Sequence, residues 1–133
     1  MVRVNVEKHE DGTYWGVTQN IPGVVSAFGG TLEELKSNLE TAFADYVETA
    51  IELGEEWVKD LDKKRGYEYR IDIKSFFNLI PEIKISNLAK KAKINESLMR
   101  QYVAGKASVS EERLKLIEQV IHKLGNELLA VRF

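Results

Sequence analysis

No cysteine occurs in the 133 residues, so disulfides and thiolate metal sites are excluded, which fits a reducing compartment. Long apolar runs are missing as well, for nothing approaches the roughly 20 residues that span a bilayer. The opening Met1-Val2-Arg3-Val4 passes straight into strand-like alternation instead of the segments of a signal peptide. The expected location is the cytoplasm, with no membrane partner. Histidine is scarce: His9 and His122 stand alone, outside any arrangement of Ser, Cys or Asp suited to nucleophilic or acid–base work. Metal-dependent phosphodiester cleavage needs several converging carboxylates. Glu7 and Asp72 on expected strands, and Asp45 and Glu48 on an expected helix, show no spacing that marks a cluster. The expectation is a non-enzyme, with no catalytic residue, no metal and no cofactor. What the chain has is 44% hydrophobic residues, enough to build one ordinary core or two small ones.

Charge is divided unevenly. Residues 1–80 carry nine Lys or Arg against fifteen Asp or Glu, a balance of −6, while residues 81–133 carry ten against six, a balance of +4. A net charge of −2 would argue against nucleic acid if it were spread evenly, but the asymmetry describes an acidic module joined to a basic one.

The basic module holds the most informative stretch, Leu88 to Lys106, which reads as two short helices joined by a tight turn. Asn95 is an N-cap, because its side-chain oxygen can accept from an orphaned backbone N–H of the next turn, and Gly105 stands where a helix ends in a left-handed residue. Stepping round the second helix at about 100° per residue puts Leu98, Met99, Tyr102 and Val103 in one arc. Glu96, Ser97, Arg100, Gln101 and Ala104 fall in the opposite arc. That outward face carries an Arg able to fork onto guanine, a Gln suited to adenine, and a Ser and Ala small enough for close approach to base edges. An ordinary surface helix also has a polar face, so the surroundings matter. Lys84, Lys90, Lys91, Lys93, Arg100 and Lys106 cluster there, where cations can neutralise phosphates and release counterions. Ala89 places a small side chain where a second helix must cross closely. Ser110 caps a further amphipathic helix bearing Leu114, Ile117, Ile121, Leu124 and Leu128.

The acidic module has another texture. Val2, Val4 and Val6 alternate with Arg3, Asn5 and Glu7, Glu10-Asp11-Gly12 makes a hairpin turn, and Tyr14-Trp15-Gly16-Val17 continues as a second strand. Pro22-Gly23 is another turn, and Val24 to Phe28 reads as a third strand stopped by Gly29-Gly30. Thr31 with Glu34 forms a capping box, followed by a helix whose apolar stripe is Leu32, Leu35, Leu39, Ala42, Phe43, Tyr46, Val47, Ala50 and Ile51. Residues 55–66 read as a solvated connection. Tyr67, Tyr69, Ile71 and Ile73 alternate with polar residues as a fourth strand, and Trp15 is expected in the sheet core.

Two resemblances follow from these motifs. Lys84 to Leu128 resembles the phage-repressor (Cro-like, XRE-like) helix-turn-helix family in its Leu-Ala pair, aliphatic turn residue, capped second helix and closing Gly-Lys. It departs from that family at Lys93, where a turn glycine is usual, and at Ile85, where a phosphate-binding Gln often stands. Arg3 to Ile51 resembles the antitoxins of the HicB family through Glu10-Asp11-Gly12, Tyr14-Trp15, Ile21-Pro22-Gly23-Val24, Ser26-Ala27-Phe28-Gly29 and Thr31-Leu32-Glu33-Glu34-Leu35. The resemblance implies a truncated ribonuclease H-like domain that binds a HicA-like, RNA-cleaving toxin, and a C-terminal domain that represses its own operon.

The expected fold class is α+β: an antiparallel sheet of three to four strands with one covering helix over residues 1–73, then an all-α helix-turn-helix domain over residues 74–133. Operator DNA is expected at Glu96, Ser97, Arg100, Gln101, Lys90, Lys91, Lys93 and Lys106. The toxin is expected at Glu7, Glu10, Asp11 and Tyr14, because an acidic surface competes with phosphate for a basic RNA-gripping one. A homodimer or higher homo-oligomer is expected through the basic module, since a single recognition helix touches few bases. The other reading open at this point is a free-standing transcriptional regulator whose N-terminal domain senses a ligand or a different protein.

Overall fold

The structure, a computed structural model, describes residues 1–61 and 66–133. It divides into two compact units, Met1–Ser75 and Phe76–Phe133.

In the first unit the alternating valines make β1 (Val2–Lys8), with Val2, Val4 and Val6 all at most 3% exposed. β2 (Tyr14–Thr18) returns antiparallel in the register Lys8↔Tyr14, Val6↔Gly16 and Val4↔Thr18, and β3 (Ser26–Gly29) pairs antiparallel with β2. The third strand is thus shorter than expected and shifted: Val24 is exposed and Val25 is buried ahead of the first strand residue. Thr31 then caps α1 (Leu32–Glu52), its hydroxyl accepting from the Glu34 backbone N–H at 3.1 Å. Leu35, Leu39 and Phe43 bury against the valines. Leu35 and Leu39 are fully buried, each worth about 1.5–3 kcal/mol. Gly29 permits the helix to start this close to the sheet, since a Cβ there would lie 2.6 Å from the Leu35 backbone nitrogen. Ile51, expected in the apolar stripe, is 61% exposed, because it sits about 100° round the helix from Ala50.

The connection after α1 contributes more to the core than expected. A short helix, α2 (Val58–Leu61), buries Val58, and Leu61 packs against the sheet cluster; the expected solvated segment at Asp62, Lys63, Lys64 and Arg65 lies outside the described residues. β4 (Tyr67–Ile71) then joins the free side of β1 in parallel, Val2↔Tyr67 to Val6↔Ile71, giving the sheet order β3-β2-β1-β4. The sheet is therefore mixed, not antiparallel. A helical crossover carries the chain back along the sheet before β4 begins, so β4 must run the same way as β3 and β1. Nor does β4 reach Ile73: the Asp72 carboxylate accepts from the Ser75 backbone N–H at 2.8 Å and from its hydroxyl at 3.0 Å, opening α3 (Ile73–Leu79).

The second unit contains α4 (Ile85–Ala92), α5 (Glu96–Ala104) and α6 (Glu111–Leu129), with α4 packed on both α5 and α6. Leu88, Ala89, Ala92, Ile94, Met99 and Ile117 are its buried aliphatic positions on and beside these helices. With Ala89 only 1% exposed, a larger side chain there would hold the helices apart. The architecture is α+β, a four-stranded mixed sheet with six helices among the described residues.

Candidate functional site

Three residues, 93–95, separate α4 from α5. Lys93 ends α4 in the left-handed region at φ 55° and ψ 39°, and the Ile94 backbone N–H reaches back to the Ala89 carbonyl at 3.0 Å. Asn95 then caps α5, its side-chain oxygen accepting from the Leu98 N–H at 3.3 Å. Gly105 closes the helix at φ 76°, with the Lys106 N–H bonded to the Gln101 carbonyl at 2.9 Å. Both helices thus stop within a turn of the residues that define their faces.

The faces are cleanly sorted. Met99 is fully buried and Leu98, Tyr102 and Val103 are half-buried, while Glu96, Ser97, Arg100, Gln101 and Ala104 are exposed. Arg113 holds the buried side in place by donating to the Tyr102 hydroxyl at 3.2 Å. On the open side the Arg100 guanidinium donates to the Glu96 carboxylate at 2.8 Å, so its fork is oriented but partly occupied. Lys90, Lys93 and Lys106 are exposed. Lys91 is drawn to Glu127 on α6 at 3.3 Å and is the least free of the four lysines.

A second surface lies on the first unit. Because even-numbered residues of β1 and β2 face α1, odd-numbered ones make the opposite face of the sheet. Trp15 is on that outer face, half-buried, and not in the core as expected. It stacks between His9 at 5.1 Å and Phe28 at 4.8 Å, with interplanar angles of 20° and 22°. Phe28 is 54% exposed. The Trp15 indole N–H donates to the Thr13 hydroxyl at 2.8 Å. Tyr14 takes the other side and packs against the core cluster, with the Lys8 ammonium 5.6 Å from its ring centre.

At this end of the sheet Glu7, Glu10 and Asp11 are exposed. Glu7 lies 3.7 Å from His9. Asp11 has a structural duty: it accepts from the Thr13 hydroxyl at 2.6 Å and backbone N–H at 2.9 Å. Those hydrogen bonds, the hydroxyl's first, hold its carboxyl below the ordinary carboxylate range. Sequence reasoning missed the His9–Trp15–Phe28 stack. Its signal was present in the alternation, because a tryptophan one residue from Gly16 must lie opposite whatever Gly16 touches, and Gly16 touches Val4 and Leu35.

The four carboxylates weighed for catalysis do not converge. Glu7 is on the outer sheet face, Asp45 and Glu48 are exposed on the helix covering the other face, and Asp72 opens α3. No group of three or more His, Cys, Asp or Glu able to hold a metal occurs among the described residues. No helix among them is long and apolar enough to cross a membrane.

A family model described as the HicB_like antitoxin of bacterial toxin-antitoxin system matches residues 2–119, a span that runs through both units. The chain belongs to this HicB-like antitoxin family. No curated protein and no solved structure matches it. Membership of an antitoxin family implies, in general, a toxin as partner.

Proposed function

We infer that this HicB-like chain captures a HicA-like, RNA-cleaving toxin with its first unit and represses its own operon by binding DNA with its second. The observation that carries the reading is the family match across both an acidic and a basic unit. A basic toxin is attracted to residues 1–75, where the acidic groups Glu7, Glu10 and Asp11 are exposed on and next to the strand that pairs with Trp15, and these groups compete with phosphate for the toxin. Tyr14 supports this surface from the core side. In the second unit α4 and α5 act as a helix-turn-helix. Arg100 and Gln101 read base edges, Glu96 orients Arg100, and Ser97 allows close approach. Lys90, Lys91, Lys93 and Lys106 meet phosphates. A dimer formed through the second unit, in the cytoplasm, presents two such helices to two half-sites.

The test is co-expression with the product of the adjacent reading frame, followed by gel-shift assays with DNA upstream of the pair. Stable co-purification, relief of growth arrest and a salt-sensitive, sequence-specific shift are expected. A chain that shifts the DNA but leaves the neighbour's toxicity untouched would replace the antitoxin reading with that of a free-standing regulator.

A further inference from the structure

Helix α6 is 19 residues long, and Ile117 is its one buried residue. The side carrying Val120 and Leu124 borders Lys91 of α4, and the Lys91–Glu127 ion pair ties the two helices. Beside that contact runs a second apolar stripe, Leu114, Ile121, Gly125 and Leu128, confined to roughly 60° of the helix circumference at 100° per residue. Leu114 is 43% and Leu128 63% exposed, and Ile121 and Gly125 are partly exposed. No charged residue falls inside the stripe.

Two properties of the stripe identify what covers it. Leu114, Ile121 and Leu128 recur every seven residues, the spacing at which a helix keeps one seam turned toward a partner helix. The pattern is also symmetric: a leucine stands seven residues from Ile121 in each direction. A second α6 running antiparallel across a two-fold axis therefore sets Ile121 against Ile121, and Leu114 of each copy against Leu128 of the other. Self-complementarity of one patch is what a two-fold interface requires. Gly125 adds an independent observation. Glycine weakens a helix interior relative to alanine, yet a Cβ at Gly125 would meet nothing within 4 Å, so the chain's own packing gives no reason for it. A missing side chain next to Ile121 and Leu128 lets a second backbone approach closely.

We propose that α6 pairs antiparallel with α6 of a second copy across a two-fold axis at Ile121, with Gly125 at the close approach. This rests on the reading of the chain as a repressor that dimerises through its second unit, and it specifies the seam.

The absence of cysteine makes single introduced thiols clean reporters. Under mild oxidation the full-length Ile121→Cys chain should form a disulfide-linked dimer at least ten-fold faster than Leu116→Cys, which lies on another side of α6. Leu114→Cys and Leu128→Cys should not cross-link alone, because equivalent positions lie about 21 Å apart in an antiparallel pair at 1.5 Å per residue, beyond disulfide reach. Mixed together they should cross-link to each other. Self-linking of Leu114→Cys and of Leu128→Cys would show a parallel seam and overturn the proposal. Sedimentation separates this failure from the broader one. A dimeric wild type weakened at least ten-fold by Leu128→Glu or Gly125→Leu, but not by Leu116→Glu, supports the seam. A dimeric wild type indifferent to those changes overturns the seam alone, and a wild type monomeric at micromolar concentration overturns the dimer as well.

Discussion

Lys93 occupies a backbone conformation that glycine adopts without strain and lysine does not: at φ 55° it is the single non-glycine residue with positive φ among the described residues. The turn between α4 and α5 demands that conformation, since the chain must leave one helix and enter the next within three residues. Holding a side chain there costs roughly 1 kcal/mol, so Lys93→Gly should leave the fold unchanged and raise its stability by about 0.5–1 kcal/mol. Urea unfolding at equal slope would read the gain. If Lys93 meets a phosphate, the same variant should bind DNA more weakly and lower the magnitude of the salt slope by about 0.9. Asp11 shows a different economy. Its folded carboxyl titrates below the ordinary carboxylate range because Thr13 donates to it twice. A depressed carboxyl contributes to the turn above its unfolded pKa and loses that contribution as pH falls through the folded one. The hairpin tip should therefore loosen only below about pH 4, seen as loss of protection of the Thr13 amide by NMR. Thr13→Ala should move the Asp11 titration upward.

At the scale of elements, capping was the most legible feature, because a cap is written in one side chain's chemistry. Thr31, Asn95, Gly105 and Ser110 all end or begin helices where their residue types predict. Strand direction was not legible: Tyr67, Tyr69 and Ile71 alternate identically whether β4 runs parallel or antiparallel to β1. The crossover through α1 decided it. The faces of Tyr14 and Trp15 were equally hidden, since a period of two says they lie on opposite sides without saying which is inward. The five residues between β1 and β2 fix that, by setting Lys8 against Tyr14. The split faces of α5, by contrast, followed from helical spacing alone, and they support a sharp contrast between variants. Arg100→Ala and Gln101→Ala should each weaken specific operator binding by roughly 1–3 kcal/mol while barely changing affinity for unrelated DNA. Lys90→Ala should weaken binding to every sequence alike and flatten the salt dependence. Lys91→Ala should do less, because Glu127 already engages that ammonium. Glu96→Gln frees the Arg100 fork and should alter base preference more than affinity. Titrations of cognate and scrambled duplexes at several salt concentrations distinguish these outcomes.

For the whole molecule the decisive quantity is the separation of charge, −6 over residues 1–80 and +4 over residues 81–133. At an ionic strength near 0.15 M charges are screened within about 8 Å, so on the proposed reading a toxin or a DNA duplex would respond to the charges close to it and not to the chain's average. Functions divided in this way should be separable by mutation. Glu7 and Glu10 are the appropriate acidic positions to reverse, because both are exposed and, unlike Asp11, neither holds the hairpin turn. Glu7→Lys with Glu10→Lys should slow association with a basic toxin and make it less salt-sensitive, the signature of lost steering, while the DNA footprint stays the same. Phe28→Ala, on the exposed end of the aromatic stack, should instead speed dissociation, since it removes apolar contact and leaves the charge unchanged. Arg100→Ala with Gln101→Ala should leave both toxin rates untouched. Stopped-flow association and dissociation measured on these three variants form one experiment. If the charge reversals change neither rate, the acidic end of the sheet is not where the toxin docks, and capture must be sought elsewhere on the first unit.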